Sequence, residues 1–129
     1  GMLSSGVEVS LGTDSNARIS MIEEMRMAEL GQRLSLQRRG VCVDDEGRVG
    51  STLFDMATVN GARGLGLDAG VIAPGMLADF LLVDLDCAWL SSVDQDDLAG
   101  ALVLSGSDDL IVDACVGGVW GDELFPMME

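Results

Sequence analysis

The hydrophobic period changes abruptly between residues 7 and 23, and that change constrains what the chain can build. Val7, Val9 and Leu11 alternate with Glu8 and Ser10, the two-residue period of a strand. From Ser20 onward apolar residues recur at helical spacing. Ser20-Met21-Ile22-Glu23 has the Ser-x-x-Glu form of a capping box, which predicts a helix start at that point. Between the two lies Leu11-Gly12-Thr13-Asp14-Ser15-Asn16. Residues 5–13 read as a strand, so Asp14 falls where a strand stops and a loop leads into a helix.

The helix carries Ile19, Ile22, Met25 or Arg26, Leu30 and Leu34 on its apolar side. Glu23, Glu24, Arg26, Glu29, Arg33, Gln37 and Arg38 fill the rest, acids early and bases late, as the helix dipole favours. Arg38-Arg39-Gly40 ends it. Residues 40–50 form a polar connection with a turn signal at Asp44-Asp45-Glu46-Gly47. Ser51 is placed to cap a second helix bearing Leu53, Phe54, Met56, Ala57, Val59 and Ala62. Gly61, Gly64 and Gly66 are packing or stop signals.

Beyond residue 69 the character shifts. Gly70 to Met76 reads as a short strand with a Pro-Gly turn. Ala78-Asp79-Phe80-Leu81-Leu82-Val83-Asp84 is apolar at nearly every inner position, which predicts a strand buried on both faces. Residues 93–104 mix an acidic turn with a short apolar run. Asp109–Cys115 and Gly118–Trp120 read as two strands about Gly117-Gly118, a hairpin signal. The tail from Asp122 is expected to be loose. The expected class is α+β: a strand, two helices, then a small, mostly antiparallel β unit. Residues 1–68 and 69–129 form the two parts, expected to pack as one unit.

Composition narrows the function. A net charge of −15 argues against nucleic acid and anionic membrane surfaces as partners, because both need clustered Lys and Arg. No apolar run approaches the ~20 residues needed to span a bilayer. No early segment has the form of a signal peptide. Gly1-Met2 reads as a tag remnant before a natural start. The 129 residues contain 48% hydrophobic residues but few aromatics, so the core relies on Leu, Val, Ala and eight Met. Cys42, Cys87 and Cys115 form no CxxC. Free buried thiols in a reducing cytosol are expected, and so a cytoplasmic protein.

No histidine is present, which removes the usual general base and the commonest metal ligand. Ser4, Ser5, Ser15 and Ser20 therefore lack the imidazole partner of a serine nucleophile. Gly64-x-Gly66-x-x-x-Gly70 departs from G-x-G-x-x-G, and no lysine follows as in a phosphate loop. Glu23 and Glu24 lie in a helix's first turn, where acids serve the dipole, and Met21 and Met25 read as core. The acidic runs at 94–97 and 108–109 lack EF-hand spacing. Asp14 remains. In α/β barrels the carboxyl edge of a strand carries the chemistry, so Asp14 is either a metal ligand and acid/base group or a loop-capping aspartate.

Two groups of residues carry a resemblance. Gly12-Thr13-Asp14-Ser15 resembles the end of the eighth barrel strand in amidohydrolase-superfamily enzymes, where the last metal-binding aspartate lies. Leu53-Phe54-Asp55-Met56-Ala57-Thr58, Gly61-Ala62, Leu65-Gly66, Gly70, Ile72, Pro74-Gly75, Ala78-Asp79 and Leu82-Val83-Asp84 resemble the junction joining that barrel to its flanking β-sandwich. Glu23 to Arg26, Glu29, Gly31 to Leu34, Arg38-Arg39, Leu104 to Gly106 and the Val112–Trp120 hairpin are similar to formimidoylglutamate deiminases. Asn16 stands where members often have histidine.

The resemblance implies the last barrel strand and two helices, followed by part of a composite β-sandwich. It implies a zinc-dependent parent that hydrolyses the C–N bond of N-formimino-L-glutamate or a similar group. Asp14 would contact the metal and move a proton from the attacking water. The parent's His-x-His pair and later histidines lie on strands absent from this sequence. The expectation is a portion or truncated relative of such an enzyme, inactive alone, with Asp14 as an incomplete metal site and no zinc bound. A non-catalytic oligomerisation or binding module is the alternative. Exposed sheet edges and helix faces lead to the expectation of a homo-oligomer.

Overall fold

A computed structural model describes residues 1–88 and 90–121, so the expected loose tail from Asp122 lies outside the described residues. Helix α1 spans Met21–Leu36 and is capped as its sequence dictates. The Ser20 hydroxyl accepts from the Glu23 backbone N–H at 3.2 Å and donates to the Asp108 carboxylate at 2.8 Å. One buried serine thus closes the helix and ties it to a distant loop.

The buried stripe of α1 differs from the expected one. Met25 and Glu29 are buried, whereas Ile19 and Leu34 are 80% and 75% exposed. Glu29, assigned by pattern to the polar side, is fully enclosed. Its carboxylate accepts from Gly40 N (3.0 Å), Val41 N (3.2 Å) and Cys42 N (2.8 Å), and from Arg33 Nε one turn on (2.7 Å). Three consecutive backbone donors of the returning chain are satisfied by one side chain, so the buried charge is paired as its desolvation demands. Burial pushes the Glu29 carboxyl up, but Arg33 and the backbone donors outweigh it and hold it below its ordinary 4.5. The buried Cys42 thiol is pushed up to about 11 by burial and by the neighbouring Glu29 charge.

The second helical region is broken in two: α2 covers Val49–Ala57 and α3 covers Val59–Leu65. α2 starts two residues before the expected Ser51 cap, with Arg48 at its N-cap. The turn before it closes on Asp44, whose carboxylate accepts from the backbone of Glu46 and Arg48 (3.1 and 2.7 Å). Gly66 ends α3 in the left-handed region.

A further helix, α4 (Leu98–Ser105), occupies the stretch read as turn and apolar run. It is apolar nearly all round, so periodicity alone does not reveal it. α4 crosses α2 where Gly50 faces Ala99 and Gly100; a Cβ on Gly50 would sit 2.6 Å from the Ala99 carbonyl carbon. Arg26 of α1 donates to Val103 O (2.8 Å) and to Gly106 O, placing a cation on the last carbonyls of α4. α1, α2 and α4 enclose the core of Met25, Cys42, Leu53, Met56 and Val103.

The β unit is a three-stranded antiparallel sheet in the order β1 (Phe80–Val83), β2 (Ile111–Val116), β3 (Val119–Trp120). Phe80 pairs with Cys115 and Leu82 with Asp113, while Cys115 pairs with Trp120. Gly117 and Gly118 both have positive φ (58° and 85°), which the tight hairpin requires. Phe80 and Trp120 meet edge to face at 5.2 Å. The α+β class therefore stands, with four α-helices among the described residues.

Three expected features differ. Residues 5–13 form no strand: Ser5 closes a short 3-10 helix (Leu3–Ser5), and residues 7–13 join no sheet, with Val9 and Leu11 packed against the core. Residues 70–76 keep the Pro-Gly turn, closed by Met76 N to Ala73 O at 3.2 Å, without a strand. β1 is not buried on both faces: Leu81 and Leu82 are 57% and 50% exposed, since among the described residues no second layer covers the sheet.

Two outcomes follow for stability. Glu29→Gln should cost about 2–3 kcal/mol in chemical denaturation, since it replaces a charged acceptor of buried backbone donors. Because the folded carboxyl lies below its unfolded value, its contribution is present above about pH 4.5 and lost as pH falls through the lower folded value. Glu29→Gln should flatten that acid limb. Gly50→Val should cost about 2 kcal/mol or more by forcing α2 and α4 apart, read as a lowered denaturation midpoint.

Candidate functional site

The segment leading to Asp14 is positioned by the break between α2 and α3. Thr58, where the helix stops and restarts, has φ −128° and ψ −91°, so the Met56 carbonyl is left to accept from Leu11 N at 3.0 Å. Asn60, in the first turn of α3, donates from Nδ2 to Val9 O at 3.0 Å. Arg63 pairs with Glu8 at 2.6 Å on the surface. Gly70 (φ 85°) lies so close to α3 that a Cβ there would meet Val59 Cα at 2.7 Å, so it is a packing glycine and not part of a phosphate loop. These ties hold residues 8–11 against the helices, with Gly12 and Asp14 beyond.

Asp14 adopts a left-handed backbone (φ 43°) in a turn closed by Asn16 N to Thr13 O at 2.9 Å. Its side chain is exposed. Asn16 donates to the Glu24 carboxylate, which pins the turn to the first turn of α1. Glu23 is engaged by Arg18 at 3.1 Å. Glu23 and Glu24 therefore serve the helix start and the loop. Met25 lies in the core, whereas Met21 is exposed.

The other sequence candidates do not converge on Asp14. Cys42 and Cys115 are buried free thiols and Cys87 is half-buried. Asp94–Asp97 leads into α4, and Asp108 is tied to Ser20. Asp14 lines neither of two surface clefts of about 680 and 640 Å³ among the described residues. The smaller is lined by Leu3, Val9, Leu11, Ala28, Leu36 and Met56 among others, and so runs beside the segment that leads to Asp14.

A catalytic zinc ion takes three protein ligands and leaves a position open for water. Among the described residues no three His, Cys, Asp or Glu side chains are grouped closely enough to hold a metal. The donor set beside Asp14 therefore does not fit a zinc ion. What the arrangement supplies is one exposed carboxylate in a constrained turn. The sequence marked Asp14 but missed Asn60 and the Thr58 break; a lone asparagine in a helix gives no warning that it holds another segment.

Comparison with known proteins places most of the chain within one family. The Amidohydrolase family matches residues 1–120. Formimidoylglutamate deiminase of Pseudomonas aeruginosa is 36% identical over 119 residues, covering 92% of this chain and 26% of the relative. An amidohydrolase structure from Brucella melitensis superposes with a TM-score of 0.78 at 30% identity, over 92% of this chain and 26% of that one. An adenosine deaminase structure from Xanthomonas campestris with bound zinc shares the fold, with a TM-score of 0.74 at 22% identity, over 92% and 26% of the two chains. The chain spans about a quarter of the length of each of these three proteins. No helix among the described residues is long and apolar enough to cross a membrane.

Asp14 itself makes a local prediction. Asp14→Asn should change stability by less than about 0.5 kcal/mol, since asparagine tolerates the left-handed region and the site is exposed. Asp14→Val should cost about 1–2 kcal/mol because a β-branched side chain is strained at that φ. Urea titrations of the two variants check both.

Proposed function

The chain belongs to the amidohydrolase family, and on that premise we propose that it is the Asp14-bearing portion of a metal-dependent hydrolase acting on C–N bonds, inactive alone. The parent reaction in this reading is hydrolytic deimination of N-formimino-L-glutamate or a similar C–N cleavage. Support for that substrate class is the 36% identity with the Pseudomonas deiminase across nearly the whole chain. The metal of the parent is zinc, as in the bound state of the Xanthomonas fold relative. Asp14 would be one ligand of that zinc and its proton acceptor. The setting is cytoplasmic, in keeping with three unpaired cysteines.

One observation carries the reading: the Asp14 carboxylate is exposed in a constrained turn, and among the described residues no three metal-ligating side chains are grouped. A single carboxylate gives weak affinity for zinc, and water that is not coordinated to a metal keeps its ordinary acidity.

A second reading draws on a different surface. Leu81, Val112, Val116 and Val119 are exposed, and the first three are more than half so. Such a face favours a non-catalytic module that forms homo-oligomers or binds a partner. Sedimentation at tens of micromolar (an approximate range) separates the readings: a dimer favours the module and a monomer counts against it.

The purified chain should bind zinc no more tightly than about 10 µM by calorimetry and release no ammonia from N-formimino-L-glutamate. Stoichiometric tight zinc with ammonia release would refute the inactivity.

A further inference from the structure

We propose that Asp108 is a positioning residue for Asp14, acting through Ser20 and the first turn of α1. Asp14 lies in an exposed turn with a left-handed backbone. Among the described residues the side-chain ties of residues 14–19 run from Asn16 to Glu24 and from Arg18 to Glu23. Both land on the first turn of α1, so the Asp14 turn is only as still as that end of the helix.

The segment between α4 and β2 grips that end. Ser20 is buried, and its one hydroxyl both accepts from Glu23 N at 3.2 Å and donates to the Asp108 carboxylate at 2.8 Å. A buried hydroxyl that loses its acceptor must turn elsewhere or stay unpaired at a cost, and either outcome loosens the cap it makes. Arg26 adds a second grip through Val103 O and Gly106 O. Asp108 is itself fixed by the β unit. Leu110 N donates to Ser107 O at 3.1 Å, Asp84 N, just past β1, donates to Leu110 O at 2.8 Å, and β2 begins at Ile111. The sheet thus places Asp108, Asp108 places Ser20, and the start of α1 places the turn. Resting on the proposed function above, this link matters because a ligand carboxylate has to be held within about 0.5 Å of its productive position.

The test reads the turn directly. Asn16 N donates to Thr13 O at 2.9 Å and closes the Asp14 turn, so its amide exchange rate, measured by NMR on the purified chain, reports how often the turn opens. Asp108→Ala should speed that exchange about fivefold or more. Asp108→Asn keeps an acceptor oxygen for Ser20 and should restore the native rate. Ser20→Gly cuts the same link from the other end with a residue that helix N-caps tolerate, and should give the same rise. The Ser20→Gly, Asp108→Ala double variant should exchange no faster than either single one. Asp44→Ala, which frees the turn before α2, should lower the melting temperature and leave the Asn16 rate unchanged. A native rate in Asp108→Ala, a fast rate in Asp108→Asn, additive rises in the double variant or an equal rise in Asp44→Ala would each overturn the proposal. If Asp108→Ala does not fold, a native rate in Ser20→Gly overturns it. None of these readouts involves zinc or substrate. A chain whose Asp14 serves no metal leaves the link from Asp108 standing, and a lost link leaves the functional reading of Asp14 as it was.

Discussion

One buried carboxylate governs the helical half of this protein. Glu29 is enclosed by the core and satisfies three successive backbone N–H groups of residues 40–42 while pairing with Arg33. Without those partners an ionised side chain at that depth would be too costly to retain. With them, it fixes where the chain returns after α1, and so seats Cys42 in the core and aims the connection towards α2. Asp44 then closes the turn that leads into α2.

From α2 the constraint passes to the site. α4 lies close against α2 because Gly50 has no side chain at the crossing, and Arg26 and Ser20 of the α1 region fasten the segment that follows α4. The interruption at Thr58 then frees one carbonyl and brings Asn60 forward, and together they receive residues 9–11. The place of Asp14 is thus the end of a chain of hydrogen bonds that begins in the core. This is a scaffold built to hold a segment still, although among the described residues that segment has no strand neighbour.

The same incompleteness recurs elsewhere. The three-stranded sheet leaves Leu81, Val112 and Val116 exposed, and residues 65–77 add Leu65 and Ile72. The chain spans about a quarter of the length of the relatives it matches. The helices of this portion enclose a core of their own, whereas a catalytic zinc site needs three protein ligands, and no such group is present among the described residues.

Much of this was legible in the residues. The capping box at Ser20, the Gly117-Gly118 hairpin, β1 and the family resemblance all rest on short-range chemistry or on a linear pattern, which sequence carries directly. The sequence by itself also determined that no imidazole is available and that Asp14 sits in a turn after an extended run. Tertiary structure alone decided three things. Glu29 turned inward because backbone donors eleven to thirteen residues away needed an acceptor. Residues 98–105 became a helix because α2 offered a glycine to pack against. Residues 7–13 failed to become a strand because strand formation needs a hydrogen-bonding neighbour, and hydrophobic alternation cannot supply one.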